Sequence, residues 1–291
     1  MHPRLKELAK KILFRNKGEY VLDRDWDNLI ILDACRYDAF VKVASEHGIR
    51  NVSYIISRGS CTFEFLQENF EGRDCRDIVY VTANPYVSLL LKDTVYKIIP
   101  VWDFGWNDKL KTVLPDIVYR EALKAKQKYP DKRLIVHFMQ PHEPYLDLYK
   151  YNVPITGFEM ARKEVEAGVM FRWMDKCIWE FVREGKFDRG IAIEAYYNNV
   201  RLVFPYALNL AKILPGKSVI TADHGEGFGE RVALFARVWG HPARVYTPVL
   251  TKVPWYEVEG GSMKEVEKEL IKGVCGAVPV RTHSRSGGNK V

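Results

Sequence analysis

Apolar residues along the chain fall into short unbroken runs, separated by stretches in which apolar and polar positions recur with helical spacing. Unbroken runs are typical of strands covered on both faces, and the stretches between them favour helices. Strands are predicted at residues 28–33, 52–56, 77–82, 95–101, 133–139, 218–223 and 246–250. This alternation predicts an α/β fold with a mostly parallel central sheet and helices on both faces.

The two ends of the chain differ from its body. Residues 3–15 form a basic amphipathic helix, with Leu5, Leu8 and Ile12 on its apolar face. Such a helix either docks on a membrane surface or packs on the body as a first helix. Residues 276–291 are basic and contain Ser and Gly, and we expect them to be disordered. The predicted organisation is an N-terminal helix (1–27), one domain (28–275) and a tail (276–291).

Composition narrows the classes of partner. The net charge of +7 fits an anionic substrate or an anionic membrane surface. Nucleic acid is not expected, because no basic motif interleaved with aromatic residues accompanies the charge. The five scattered cysteines lack the spacing of a zinc site and are predicted to be free thiols. Without an apolar run of about 18 residues or a signal sequence, the expected location is cytoplasmic, with membrane association through residues 3–15.

The strand at 218–223 ends in adjacent Asp223 and His224, followed by a glycine-rich turn. Open α/β sheets bind ligands at the carboxyl ends of their strands. A carboxylate beside a neutral imidazole suits a divalent metal. The alternative is a strand followed by an ordinary turn with Asp223 as a helix cap.

Two other strand ends carry candidate chemistry. The first strand ends in Asp33, which is either a metal ligand or a helix N-cap; Arg36 can pair with Asp33 or Asp38. The second leads into residues 57–62, where small residues and hydroxyls open a helix and can bind an anion. Thr62 is the favoured nucleophile, Ser60 the second choice and Cys61 the third. The alternative is a capping cluster with Glu64 or Glu68.

Two histidines in loops are further candidates. His142 lies between Pro141 and Pro144 after the strand at 133–139, so a rigid loop can present its imidazole to a substrate. His241 follows His224 by about 17 residues and reaches the same edge if the intervening loop folds back.

Taken together, these pieces resemble the alkaline phosphatase superfamily, more closely its sulfatase-like members and its phosphoethanolamine and phosphoglycerol transferases. The matching segments are residues 28–38, 59–62, 141–145, 223–230 and 239–250. The resemblance implies a three-layer sandwich and a metal held by Asp33, Asp223 and His224, with the nucleophile Thr62 also touching the metal. It also implies that His142 and His241 bind the transferred group or protonate the leaving oxygen. Residues predicted to bind the substrate are Arg36, Ser60, Cys61 and Asn84.

Departures from relatives narrow the chemistry. The residues after Cys61 lack the Pro and Arg that accompany formylglycine in sulfatases, and no Asp-x-x-x-His precedes the Asp-His pair. We therefore expect one tight divalent ion, Mn, Zn or Mg. The main hypothesis is a hydrolase or transferase acting on a phosphate ester, either a small anion or a lipid- or glycan-linked substrate. A sulfuric-ester hydrolase without formylglycine and a catalytically silent binding protein of surface-glycan or lipid biosynthesis are the alternatives.

Overall fold

The structure, a computed structural model, describes residues 16–151, 158–167, 177–233 and 236–275. The predicted helix at 3–15 and the predicted tail at 276–291 lie outside these residues. Strands lie at Asn28–Leu32 (β1), Ser53–Ile56 (β2), Cys75–Thr82 (β3), Val95–Pro100 (β4), Trp106–Asn107 (β5), Thr112–Val113 (β6), Arg133–Phe138 (β7), Lys217–Thr221 (β8), Gly227–Ala233 (β9), Ala236–Gly240 (β10) and Lys252–Glu259 (β11). Helices lie at Tyr37–Glu46 (α1), Thr62–Phe70 (α2), Pro85–Leu90 (α3), Val101–Phe104 (α4), Pro115–Lys128 (α5), Glu159–Glu166 (α6), Ile178–Arg183 (α7), Arg189–Ile213 (α8), Pro248–Thr251 (α9) and Met263–Cys275 (α10), with 3-10 turns at Val21–Asp23 and Leu146–Tyr151.

The main sheet of the described residues has seven strands in the order β2-β11-β8-β1-β7-β3-β4. At its centre, β1 is parallel to both of its neighbours, β7 and β8. Strand β11 runs antiparallel to both of its neighbours, β2 and β8, and the other neighbouring pairs of this sheet are parallel. All five residues of β1 are buried, as expected of a strand covered on both faces. The predicted mostly parallel α/β sheet is confirmed.

Helices cover both faces of this sheet. One group consists of α1, α5, α8 and α10, which pack on one another, and a second consists of α2, α3 and α6. The core between the layers also includes Val21 and Trp26, so it extends upstream of β1. Trp26 donates its indole N–H to the Val21 carbonyl at 2.7 Å, which satisfies the polar atom of a buried ring.

The predicted strand at 246–250 is wrong. Pro248 begins the short helix α9 there, and strand β11 begins only at Lys252. Proline is favoured in the first turn of a helix, and it has no N–H to give to a sheet. An apolar run this short has no decisive period, so the aliphatic residues on either side of Pro248 do not distinguish a strand from a helix.

Between Asp223-His224 and this helix, the chain forms the hairpin β9–β10 where the sequence predicted a loop. Gly229 has φ +94°, and a Cβ there would lie 2.4 Å from the Trp239 ring, so the hairpin requires glycine at this position. The hairpin returns the chain to the sheet edge and brings His241 beside His224, with ring centroids 4.7 Å apart.

No helix among the described residues is both long enough and apolar enough to cross a lipid bilayer.

Candidate metal centre and active site

Asp33 and Asp223 follow the carboxyl ends of the neighbouring parallel strands β1 and β8, and both side chains are fully buried. Ala34, the residue after Asp33, adopts a left-handed φ of 58°. This turn lets the Ala34 N–H donate to Asp223 Oδ1 at 3.1 Å. The two strand ends are therefore joined directly, as the parallel-sheet prediction requires.

His224 completes a buried three-residue group. Ligand atoms of Asp33, Asp223 and His224 all lie within 4.8 Å of one another. His224 Nε2 is 3.7 Å from Asp33 Oδ1 and 3.5 Å from Asp223 Oδ2. Its Nδ1 lies 2.8 Å from the Gly225 carbonyl, which only accepts, so Nδ1 carries the proton and Nε2 presents a lone pair.

The donor set of this group fits a divalent cation. Two carboxylates and an imidazole lone pair face one another in a buried space, an arrangement that a cation would stabilise. Asp33 Oδ1 is buried without a hydrogen-bond partner among the described residues, and one carboxylate oxygen is thus left for a metal. Oxygen-rich ligation with one nitrogen suits Mn, Zn or Mg.

Thr62 places its hydroxyl at the same point. It is the first residue of α2, and Oγ1 donates to Asp223 Oδ2 at 2.7 Å and lies 3.3 Å from His224 Nε2. The proposed nucleophile and the three proposed ligands thus form one cluster. The alternative prediction, a capping cluster, is found at Ser60 and not at Thr62. Ser60 donates its N–H and hydroxyl to the Glu64 carboxylate, each at 2.9 Å.

Asn84 lies between Asp33 and the Thr62 hydroxyl. Its Oδ1 accepts the Tyr86 N–H at 3.0 Å and so caps α3. Its amide Nδ2 donates to Asp33 Oδ2 at 2.7 Å and lies 3.4 Å from Thr62 Oγ1. The cap fixes the amide, and the amide in turn fixes which oxygen of Asp33 turns toward His224.

Arg36 is engaged by protein groups. It pairs with Asp38 at 2.7 Å and with Glu230, and Nη1 donates to the Glu226 carbonyl at 3.0 Å. Of the two partners predicted for Arg36, Asp33 and Asp38, the structure pairs it with Asp38. The guanidinium also lies over the Phe228 ring at 4.2 Å. These contacts clamp the loop after β8 onto the start of α1, and a direct substrate contact of Arg36 remains a prediction.

The other two predicted substrate-binding residues lie at the start of α2. Ser60 Oγ lies 2.9 Å from Glu64 Oε2 and 3.0 Å from the Pro242 carbonyl oxygen, and these two acceptors share its one proton. This contact ties α2 to the segment after His241. Cys61 is the N-cap residue of α2 and is partly exposed. Burial raises the pKa of its thiol to about 12, so the thiol stays protonated and is a poor nucleophile. Their roles toward a substrate remain predictions.

His142 and His241 meet beside the metal group, with Nε2 atoms 3.3 Å apart. His142 Nδ1 lies 2.8 Å from the Glu143 carbonyl and therefore carries a proton, which leaves Nε2 as an acceptor. His241 Nδ1 lies 3.1 Å from Glu226 Oε1. Burial lowers the pKa of His241, but the Glu226 carboxylate outweighs burial and raises it to about 9. Burial lowers the pKa of His142. A charged His241 thus donates toward a neutral His142.

Two residues of this site were missed from sequence. Glu226 is 1 % exposed and faces His241; it belongs to the Asp-His-Gly-Glu segment, but no role was assigned to it. His137 is fully buried on β7, with Nε2 3.4 Å from Asp33 Oδ2 and 3.7 Å from Asp223 Oδ2. The feature that could have identified His137 is a histidine within the predicted strand at 133–139, which lies beside the strand that ends in Asp33.

Comparisons with solved structures identify proteins that have a similar fold. No protein-family model and no curated protein sequence matches the chain. Among solved structures, the integral membrane protein lipooligosaccharide phosphoethanolamine transferase A from Neisseria meningitidis matches at 12 % identity and a TM-score of 0.52, over 84 % of this chain and 50 % of that one. The C-terminal periplasmic domain of EcEptC from Escherichia coli, a complex with Zn, matches at 14 % identity and a TM-score of 0.49, over 87 % and 78 %.

These neighbours correct one prediction and confirm another. The predicted cytoplasmic location is contradicted, because the transferase that shares this fold is an integral membrane protein. The chain spans half the length of the transferase from Neisseria meningitidis. The resemblance to the phosphoethanolamine-transferase branch of the alkaline phosphatase superfamily is confirmed for the fold, which this chain shares with that transferase.

Proposed function

We propose that the chain is a metal-dependent phosphoester transferase or hydrolase in which Thr62 is the nucleophile. The observation that supports it is the 2.7 Å hydrogen bond from Thr62 Oγ1 to Asp223, within one buried group of two carboxylates and an imidazole lone pair. A hydroxyl in that position is poised for activation, and such a group has no evident structural use without a cation. Asp33, Asp223, His224 and Thr62 would hold the ion, which would supply charge that stabilises the threonine alkoxide and the phosphoryl oxygens.

The residues of the chain account for the proton transfers. Thr62 Oγ1 loses its proton toward Asp223 Oδ2, its acceptor, and attacks phosphorus in line as the bond to the leaving oxygen breaks. His241, held as an imidazolium by Glu226, gives its Nε2 proton to that leaving oxygen. The phosphothreonine ester is then attacked by an acceptor alcohol or water. His241 takes the acceptor's proton, which returns the imidazolium. As the bond between phosphorus and Thr62 Oγ1 breaks, Asp223 Oδ2 returns the proton to Oγ1, and the phosphoryl group leaves as a new ester or as a phosphate.

Phosphodiesters with an alcohol leaving group are the first substrate class to test. The transferase whose fold this chain shares is named for moving phosphoethanolamine onto lipooligosaccharide. A phosphoethanolamine ester is a phosphodiester before transfer and is held as one on the threonine. A lipid- or glycan-linked phosphoester is therefore the expected physiological substrate.

The test compares wild type with Thr62→Ala, Thr62→Ser and Thr251→Ala in the presence of Mn, Zn or Mg. Substrates are p-nitrophenyl phosphate, bis-p-nitrophenyl phosphate, p-nitrophenyl sulfate and a phosphatidylethanolamine micelle. Thr251 is a buried threonine whose hydroxyl donates to the Thr247 carbonyl, so its variant controls for loss of a buried hydroxyl. We expect a phosphoryl adduct on the Thr62 peptide in mass spectra, loss of turnover in Thr62→Ala, residual turnover in Thr62→Ser and full turnover in Thr251→Ala.

Each alternative predicts a different outcome in the same experiment. Undiminished phosphoester turnover by Thr62→Ala would overturn the assignment of the nucleophile. Faster turnover of the aryl sulfate than of both aryl phosphates would favour the sulfuric-ester hydrolase. If no divalent ion binds to wild type, the binding-protein alternative replaces the enzyme.

A further inference from the structure

His137 lies beside the proposed metal group, on strand β7, which pairs with β1. Its Nε2 is buried without a hydrogen-bond partner among the described residues. The nearest anionic atoms are Asp33 Oδ2 at 3.4 Å and Asp223 Oδ2 at 3.7 Å. Burying a polar atom without a hydrogen-bond partner costs free energy of folding. Because Nε2 is directed between two carboxylates, we infer that its role is to orient them.

The other ring nitrogen of His137 meets Tyr80. Tyr80 Oη lies 3.1 Å from His137 Nδ1, and Tyr80 is fully buried on the adjacent strand β3. The phenol is the only group that the described residues bring to Nδ1, and a buried phenolic O–H requires an acceptor. When Tyr80 donates to Nδ1, the proton of the neutral ring resides on Nε2 and points at the carboxylates.

We propose that Tyr80 and His137 form a positioning pair that selects which oxygen of Asp33 faces the metal. This inference rests on the proposed function. Asp33 Oδ2 is already bonded by Asn84, and the His137 N–H faces the same oxygen. Asp33 Oδ1 is left without a partner and turns toward His224 Nε2. His137 is a positioning residue, because it faces the ligands and makes no hydrogen bond to Thr62, His142 or His241 among those that the described residues form.

Asp223 is constrained in a complementary way. Its Oδ1 accepts the N–H groups of Ala34 and His224, while Oδ2 accepts the Thr62 hydroxyl and faces His137. A single N–H between the two Oδ2 atoms reduces the repulsion of two buried anions. Removing a group that hydrogen-bonds to a metal ligand typically changes metal affinity about 10- to 100-fold.

The experiment measures metal binding, separately from turnover, for the full chain. Dissociation constants for Mn and Zn are obtained by calorimetry with wild type, His137→Ala, His137→Gln, Tyr80→Phe and Tyr145→Phe. We expect about 10- to 100-fold weaker binding in His137→Ala, partial recovery in His137→Gln, whose amide can donate, and a smaller loss in Tyr80→Phe. Tyr145 is a buried tyrosine whose oxygen accepts from Trp179; its variant should bind as wild type does.

Two readouts separate positioning from packing. The melting temperature without metal should change little more in Tyr80→Phe than in Tyr145→Phe, whereas the rise on adding metal should shrink only in Tyr80→Phe. The ring-nitrogen NMR spectrum of His137 should show the Nε2–H tautomer. An unprotonated Nε2, which would make His137 a direct ligand, overturns the proposal.

The result that would contradict the positioning pair differs from the result that would contradict the proposed function. Wild type that binds no divalent ion overturns both. Wild type that binds while His137→Ala and Tyr80→Phe bind equally well overturns the positioning pair alone. If His137→Ala does not fold, Tyr80→Phe decides the matter, because it deletes a single oxygen.

Discussion

Thr62 Oγ1 donates to Asp223 Oδ2 at 2.7 Å across 161 positions of the chain. Asp223 is aligned for this because its other oxygen accepts two backbone N–H groups, from Ala34 at 3.1 Å and from His224 at 2.9 Å. In the proposed mechanism this carboxylate would act twice: as the acceptor of the Thr62 proton and as a metal ligand. The hydrogen bond joins the start of helix α2 to the end of strand β8.

The first prediction concerns the charge of Asp223. Asp223→Asn keeps an oxygen for the two backbone donors but removes the anion, so we expect the metal-induced rise in melting temperature to disappear. Turnover should fall by about 10²- to 10⁴-fold, the usual loss when a proton acceptor is removed. Thermal unfolding with and without metal, together with kcat/KM, checks this. The control is Asp77→Asn, which loses an exposed pair with Arg133 worth about 1 kcal/mol or less. Unchanged metal binding in Asp223→Asn would argue against the ligand set.

The second prediction concerns the Glu226–His241 pair. The pKa of His241 is raised from 6.5 to about 9, so its contribution to stability is complete below pH 6.5 and is lost as the pH rises through about 9. Glu226→Gln removes the carboxylate that raises this pKa. The variant should be less stable than wild type near pH 6, by at most about 3 kcal/mol, and the difference should shrink above pH 9.

Urea unfolding at pH 6 and pH 10, with a chelator present, measures the Glu226→Gln difference without metal. Glu71→Gln, at an exposed position after α2, should show no comparable dependence on pH. A Glu226→Gln difference that is the same at both pH values would mean that Glu226 stabilises by packing and not by charge.

Much of the site could be predicted because it depends on strand ends. Asp33 and Asp223 each follow an unbroken apolar run, and adjacent parallel strands deliver their ends to one edge. Thr62 could be predicted because hydroxyls at the start of a helix are recognisable from a short stretch. In each case the sequence pattern that supports the prediction lies within a few positions of the residue that is predicted.

Glu226 and His137 could not be predicted for two different reasons. The role of Glu226 depends on the β9–β10 hairpin, and no Asn-Gly or Asp-Gly pair marks its turn in the sequence. His137 is hidden because strand β7 is buried on both faces, so periodicity does not tell which side its ring takes. The same ambiguity of short apolar runs produced the false strand at 246–250. Tertiary contacts, which local pattern does not encode, decide these positions.

The third prediction concerns Gly225, which follows His224. A Cβ at Gly225 would lie 2.1 Å from the Val249 carbonyl oxygen, while its N–H donates to the Leu250 carbonyl at 2.7 Å. Gly225→Ala must therefore displace the backbone whose carbonyl orients His224. We expect a stability loss of about 1–3 kcal/mol together with weaker metal binding.

Gly48→Ala is the matched control for Gly225→Ala. Gly48 has φ +78° with open space around it, so alanine there should cost about 1–2 kcal/mol through backbone strain alone and leave metal binding unchanged. Calorimetric titration with Mn or Zn separates the two glycines. Equal metal affinity in both variants would show that the Gly225 backbone does not set the position of His224.

The fourth prediction concerns Glu143, which lies next to His142 and is half-buried. Burial raises its pKa from 4.5 to about 7. Between these two pH values the Glu143 carboxyl is therefore protonated in the native state and ionised in the unfolded chain. This contribution is complete below pH 4.5 and is lost as the pH rises through about 7. Wild type should therefore lose stability across this range, and Glu143→Gln, which is neutral throughout, should not. The amide oxygen can still accept the Ile178 N–H, which Glu143 Oε2 accepts at 3.0 Å.

Glu143→Gln should consequently be more stable than wild type at pH 8 and nearly equal to it at pH 4.5. The shift of pKa sets an upper limit of about 3 kcal/mol on the gain, and partial exposure reduces it. Urea midpoints at the two pH values, with chelator, measure it. This direction is opposite to that of Glu226→Gln, although both variants remove a carboxylate near the paired imidazoles. If Glu143→Gln were instead less stable at pH 8, the Glu143 carboxylate would have to be ionised in the native state, and the charge of His241 would then be shared between two acids.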